Sequence, residues 1–322
     1  MYTMPPKKGT NQPKAESKVI TDSHTQLDVK NESNGTSQAG HKRKKSAADD
    51  EPQKAARRSE RGVTKSQPSQ HQLLNFMLSE TCEDLCRPED EITCHEDTRD
   101  IRTYSASALN PFEELLSAII LSRPISHRLG LRTISTILNA PYHFNSARAV
   151  RDAGREKHLQ AVWDARTQHK DKTAEQIGLF ADVVLEKFTS SDDEEGTRLN
   201  EVREVCDRDV EKEREFLRSH VKGLGETGLD IFFRRVQWLW TAGFPFVDDR
   251  TARGLGKLGL PDDGQELWKA VQEHWGELET RHLAGEDEDV RKRRAFVVVL
   301  ERATGADLEG KADALVRKAA AV

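Results

Sequence analysis

Cysteine is scarce in this chain of 322 residues: only Cys82, Cys86, Cys94 and Cys206 occur. So few thiols, irregularly spaced, exclude a disulfide-framed secreted domain and fit a reducing compartment. Hydrophobic residues make up 35% of the chain and aromatic ones 6%, which leaves material for one medium-sized core beside much solvated sequence. Long apolar runs are missing as well. The longest purely aliphatic one, Val297 to Leu300, is far too short to cross a bilayer, and no apolar segment opens the chain, so no membrane partner is expected. No segment alternates convincingly as a strand would, and no long-period repeat is present.

Charge is what the chain has in plenty, at 33% of residues and unevenly placed. Residues 1–70 carry six more basic than acidic side chains, and the remainder carries eleven more acidic than basic ones. That first segment is rich in Ser, Gln, Asn, Lys and Pro without apolar periodicity, so it is expected to be a disordered basic tail. Within it, His41-Lys-Arg-Lys-Lys45 is followed nine positions on by Lys54-Ala-Ala-Arg57-Arg58. Two basic clusters with a polar spacer have the pattern of a bipartite nuclear localisation signal. An electrostatic arm that holds nucleic acid is the compatible alternative. A nuclear protein that engages an import receptor is therefore expected. Residues 71–105 read as an acidic, partly ordered linker, and residues 106–322 as the folded body. Cys82, Cys86, Cys94 and His95 form a cluster in that linker whose spacing fits no common zinc frame, so no metal is expected there.

The body reads as all-α. Asn110-Pro-Phe-Glu113 combines an N-cap, a proline at the first helical position and a glutamate able to reach back, which predicts a capping box. Phe112, Leu115, Leu116, Ile119 and Ile120 then fall on one helical face, until Ser122-Arg-Pro124 stops the run. Further helices are predicted over 126–138, 147–153, 157–165, 173–188, and one highly charged helix over 197–221. A helix burying Ile231, Phe232, Val236, Leu239 and Trp240 follows, then one over 248–258. Three more, over 265–275, 287–303 and 307–321, close the chain.

Between two of these helices lies Val221-Lys-Gly-Leu-Gly-Glu-Thr-Gly228. Glycines tolerate positive φ and leave backbone N–H groups unobstructed, so such a turn is a natural phosphate cradle. One helix later comes Val247-Asp248. A carboxylate close to DNA is repelled unless it has a positive partner or intermediate to stabilise; the pairing points to chemistry on DNA.

Four blocks in order resemble the helix-hairpin-helix-GPD superfamily of DNA glycosylases, of which endonuclease III is the bacterial representative. They are Asn110 to Ser122, Lys172-Thr-Ala174 with Ile177, Val221-Lys-Gly-Leu-Gly225, and Val247-Asp-Asp-Arg-Thr-Ala-Arg253 with Lys257-Leu-Gly-Leu260. The resemblance implies a two-lobed helical fold and a monomer acting on double-stranded DNA that contains a damaged or mispaired base. It makes Asp248 the catalytic carboxylate, which stabilises positive charge on the sugar and helps activate a nucleophile. It makes Gly223, Leu224 and Gly225 the grip on the DNA backbone. Base flipping would precede cleavage of the glycosidic bond.

Departures shape the expected activity. Where bifunctional members carry a lysine, this chain has Thr227, so base excision by water without lyase chemistry is expected. Where many members have Ala-Gln, it has Arg123 and Pro124, either a wedge into the base stack and phosphate contact or merely a helix stop. No cysteine follows Cys206, so no iron–sulfur cluster, and no other cofactor, is expected. Arg250, Arg253 and Lys257 either contact phosphate or balance an acidic surface, and Asp248 could simply cap its helix. A catalytically inactive descendant, kept as a DNA-binding or protein-interaction module, is the alternative.

Overall fold

Helix α1 spans Gln70–Leu78 and α2 spans Glu80–Cys86, both inside the stretch that composition assigns to a linker. Ser69 begins α1 with a capping box: its Oγ accepts from the Gln72 amide, and the Gln72 side chain accepts from the Ser69 amide. Leu73, Leu74, Met77, Leu78, Cys82 and Cys86 are all buried. The expected start of the body near Ala106 is thus corrected. Two short amphipathic helices are stable here because other helices cover their apolar faces. The computed structural model describes residues 67–89, 91 and 101–322. The predicted tail as far as residue 66, both import clusters, Cys94 and His95 lie outside them.

Every regular element among the described residues is helical. Helix α3, Pro111–Leu121, starts with the capping box that its sequence predicts, Asn110 Oδ1 accepting from the Glu113 amide at 2.9 Å and Glu113 Oε2 from the Asn110 amide at 2.8 Å. Helix α4, His127–Leu138, is capped by Ser126. Helix α5, Ala147–Asp164, contains the break read between two short helices, at Gly154 with φ +74°. Helix α6, Lys170–Val183, ends in a single π turn, Val184–Phe188. The single charged helix expected over 197–221 is corrected to two, α7 (Asn200–Val205) and α8 (Val210–His220). Asp207 and Arg208 between them are left-handed, and the Asp209 side chain caps α8 by accepting from the Lys212 amide. A local side-chain acceptor has outcompeted helix continuation.

Helix α9 is Glu226–Val236, α10 Asp249–Leu258, α11 Gly264–His274, α12 Glu288–Leu308 and α13 Ala312–Ala319. Two apolar cores result. Phe112, Phe144, Phe188 and Phe232 centre the first, built from α3 to α9; Met77, Phe296 and Leu300 centre the second, built from α1, α2 and α10 to α13. Each such side chain contributes about 1.5–3 kcal/mol through burial. Helix α9 packs on α3 and also touches α12, so it joins the two. In the second core α2 and α12 meet backbone to backbone, since a Cβ at Gly305 would stand 2.2 Å from the Cys86 carbonyl oxygen. Among the described residues no helix is long and apolar enough to cross a membrane.

Candidate functional site

A cavity of about 450 Å³ opens at the seam between the two cores. The first core supplies Leu121, Ile125, Thr227, Asp230 and Ile231 to its wall; the second supplies Asp248, Arg250, Arg253, Glu301 and Thr304. Its volume lies in the range of small-molecule sites, large enough for one extruded base. Asp248 occupies the N-cap of α10, where its Oδ1 accepts from the amides of Arg250 and Thr251 at 3.0 and 3.2 Å. Its Oδ2 accepts from Thr251 Oγ1 at 2.6 Å and from Arg234 Nη1 at 2.9 Å. Capping and facing the cavity are therefore one conformation of this side chain.

Arg234 was not singled out by the sequence, yet it organises the site. It is 4% exposed, and its Nε donates to Glu301 at 2.6 Å while Nη1 serves Asp248. Next to it, fully buried Arg235 holds Glu114 in a bidentate pair at 2.9 and 3.0 Å and lies 3.7 Å from Glu301. The ring of Tyr104 lies 4.2 Å from the Arg235 guanidinium, and Tyr104 is the aromatic side chain in the cavity wall. Two consecutive arginines after Phe232-Phe233 were the available signal. On a helix face that is otherwise apolar, they require buried carboxylates.

No protein family, curated protein or solved structure matches this chain. The geometry stands by itself.

The hairpin residues divide by role. Gly223 has φ +81°, which favours glycine, and a Cβ there would approach Gln176 Nε2 to 2.9 Å. Leu224 is 4% exposed and belongs to the first core, so its side chain faces inward. Gly225 is the N-cap of α9, is exposed and offers no side-chain acceptor, so no side chain caps the first amides of α9. Thr227, on that first turn, lines the cavity with Asp248. Glu226 points elsewhere, held by Arg214 at 3.0 Å and Arg218 at 2.5 Å. Those hydrogen bonds keep its carboxyl below the usual range, with Arg214 acting most strongly.

Arg123 does not line the cavity with Asp248. It donates from Nη1 to Gln176 Oε1 at 3.2 Å, and Gln176 Nε2 donates to the Lys222 carbonyl at 2.8 Å, so Arg123 braces the hairpin through Gln176. Arg250 and Arg253 are exposed and line the cavity, whereas Lys257 is paired with Asp307. Trp240 is a core residue, packed edge-on to Phe232. Trp238 and Phe244 pack in or against the second core, and Phe246 packs on the first.

All four acceptor positions of the Asp248 carboxylate are thus filled. Burial opposes its ionisation, but the Arg234 guanidinium and the bonds from Thr251 and Arg234 outweigh it and hold the pKa below the usual value. The group is a fixed anion, not a proton acceptor. Because its folded pKa lies under the unfolded value of about 3.9, it adds stability above that pH and loses it as pH falls through the folded pKa. Acid unfolding followed by circular dichroism is expected to show a loss of stability below about pH 4 that is smaller in Asp248→Asn.

Proposed function

We propose that this chain is a nuclear DNA glycosylase of base excision repair, monofunctional, hydrolysing the glycosidic bond of a damaged or mispaired base turned out into the seam cavity. The observation that carries the reading is the union, in one cavity wall, of Asp248 at a helix start with Thr227 on the turn after the Gly223 to Gly225 hairpin. Phosphate on the uncapped amides of α9 would bring the adjoining sugar towards that wall. Arg250 and Arg253 add positive charge at the same wall.

Asp248 acts in this reading by electrostatics. Arg234 lies between two carboxylates, Asp248 and Glu301, so the trio keeps one net negative charge beside the cavity. A sugar that loses its base develops positive charge, which a preorganised anion in a dry site stabilises strongly. With its lone pairs occupied, Asp248 leaves water activation to solvent. The resemblance had suggested both roles; the hydrogen bonding favours the first. Thr227 offers no amine, so no covalent sugar adduct forms.

The same saturation of Asp248 favours a second reading, a silent module that keeps the cavity for DNA or protein binding. Duplexes carrying uracil, oxidised guanine, thymine glycol, alkylated adenine or normal mispairs, treated with alkali after incubation, separate the two. Strand breaks that appear only after alkali support monofunctional excision. A borohydride-trapped covalent complex contradicts it. No breaks across the whole set, with binding that depends on Gly223 and Gly225, selects the module.

A further inference from the structure

Behind the wall that carries Arg234 lies a second cavity of about 190 Å³. Ser105, Glu301 and Arg302 line both it and the larger one. Arg235, already paired with Glu114, Arg294, Arg302 and His282 share its lining with Glu83 and Glu301. Both carboxylates are already engaged. Glu301 holds Arg234 and Arg235, and Glu83 holds Arg302 at 2.9 Å.

Among the described residues Arg294 has no such partner. It is 4% exposed, its Nη2 donates to the Ser107 carbonyl at 3.1 Å, and its guanidinium lies 5.3 Å from the centre of the Trp238 ring. Among the described residues its Nη1 has no acceptor, and neither has the buried Nε of Arg302. Burial first, and then the neighbouring Arg235, pull the Arg294 pKa down to about 10, so the side chain remains cationic at neutral pH. A ring face attracts a cation without neutralising it. Buried guanidinium groups without a counter-charge are rare because desolvation is uncompensated.

The geometry points to a binding site for one small oxyanion, inorganic phosphate, in this cavity, with the unpaired Nη1 of Arg294 and Nε of Arg302 as its donors. A guanidinium matches the oxygen spacing of phosphate and forms its strongest hydrogen bonds with such anions. The volume admits a tetrahedral oxyanion and some water but no nucleotide. Because Glu301 forms part of both walls, the anion would sit one side chain away from the Arg234 that holds Asp248. The site is independent of whether the larger cavity excises bases.

Isothermal titration of the full chain with inorganic phosphate, at near-physiological chloride to suppress surface binding, tests it. One phosphate per chain is expected, weakened about tenfold or more by Arg294→Gln. Val298 lies one helical turn along α12 and lines the same cavity, so Val298→Glu brings a carboxylate within reach of Arg294. That variant is expected to lose phosphate binding while keeping its Tm, and it carries the test if Arg294→Gln fails to fold. No saturable binding overturns the proposal, as does binding that survives in Val298→Glu.

Discussion

Asp248→Asn is expected to lower single-turnover base excision by about 100- to 1,000-fold while leaving duplex affinity within about twofold, a size typical of losing one preorganised electrostatic group. Asparagine retains the shape and one acceptor oxygen, so the cap on the amides of Arg250 and Thr251 survives. The negative charge does not. In the variant Arg234 keeps Glu301 as its carboxylate partner, and the trio beside the cavity becomes neutral where the proposed reaction would develop positive charge on the sugar. Affinity is preserved because the hairpin and the α9 amides belong to the first core and are untouched. The cost to folding is about 1–3 kcal/mol, since the two hydrogen bonds that Oδ2 accepts, from Thr251 Oγ1 and Arg234 Nη1, are lost, while Arg234 Nη1 keeps Thr251 Oγ1 as an acceptor. Quench-flow excision and gel-shift titration measure the two quantities separately. Equal losses in both would mean that Asp248 serves binding or folding instead.

Arg235→Met is expected to cost about 3–5 kcal/mol of stability, measured by urea unfolding, because it abandons Glu114 in the interior. Glu114 is fully buried, and both its oxygens accept from Arg235. For a unit of this size the matching fall in Tm is about 6–20 °C. The companion Glu114→Leu/Arg235→Met protein separates the worth of the pair from the penalty of breaking it. Replacing both partners by apolar groups of similar bulk removes the stranded charge, so the double variant is expected to regain most of the loss. A double variant no better than Arg235→Met would place the cost in lost packing against Tyr104.

Local signals were legible where one residue type had one physical job. Asn110-Pro-Phe-Glu113 announced a capping box, and the structure has both of its hydrogen bonds. Of the two glycines of the turn expected to need positive φ, Gly223 adopts it and Gly225, at φ −109°, does not. Trp240 announced a core position, which it has, but α9 ends at Val236 and Leu239, expected to be buried on the same face, is exposed. The break at Asp207 and Arg208 was not legible, because a run of charged residues has no apolar period to show where a helix stops and restarts. Helices α1 and α2 were missed since their apolar faces are short and gain stability from helices far along the chain, α11, α12 and α13. Arg234 and Glu301 lie 67 residues apart in sequence, and only the packing of α9 against α12 brings them together. Three of the four bonds to Asp248 come from Arg250 and Thr251 beside it in the chain; the fourth, from Arg234 with Glu301 behind it, could not be read from those neighbours.

The central claim is that the seam cavity cuts a glycosidic bond, and detecting the freed base tests it most directly. Lesion-bearing duplexes incubated with excess full-length protein and analysed by mass spectrometry are expected to release one modified or mispaired base, leaving the sugar–phosphate strand intact until alkali is added. If no base is released from any of these duplexes by a protein that binds them through Gly223 and Gly225, the cavity is a binding site and Asp248 a helix cap held by Arg234.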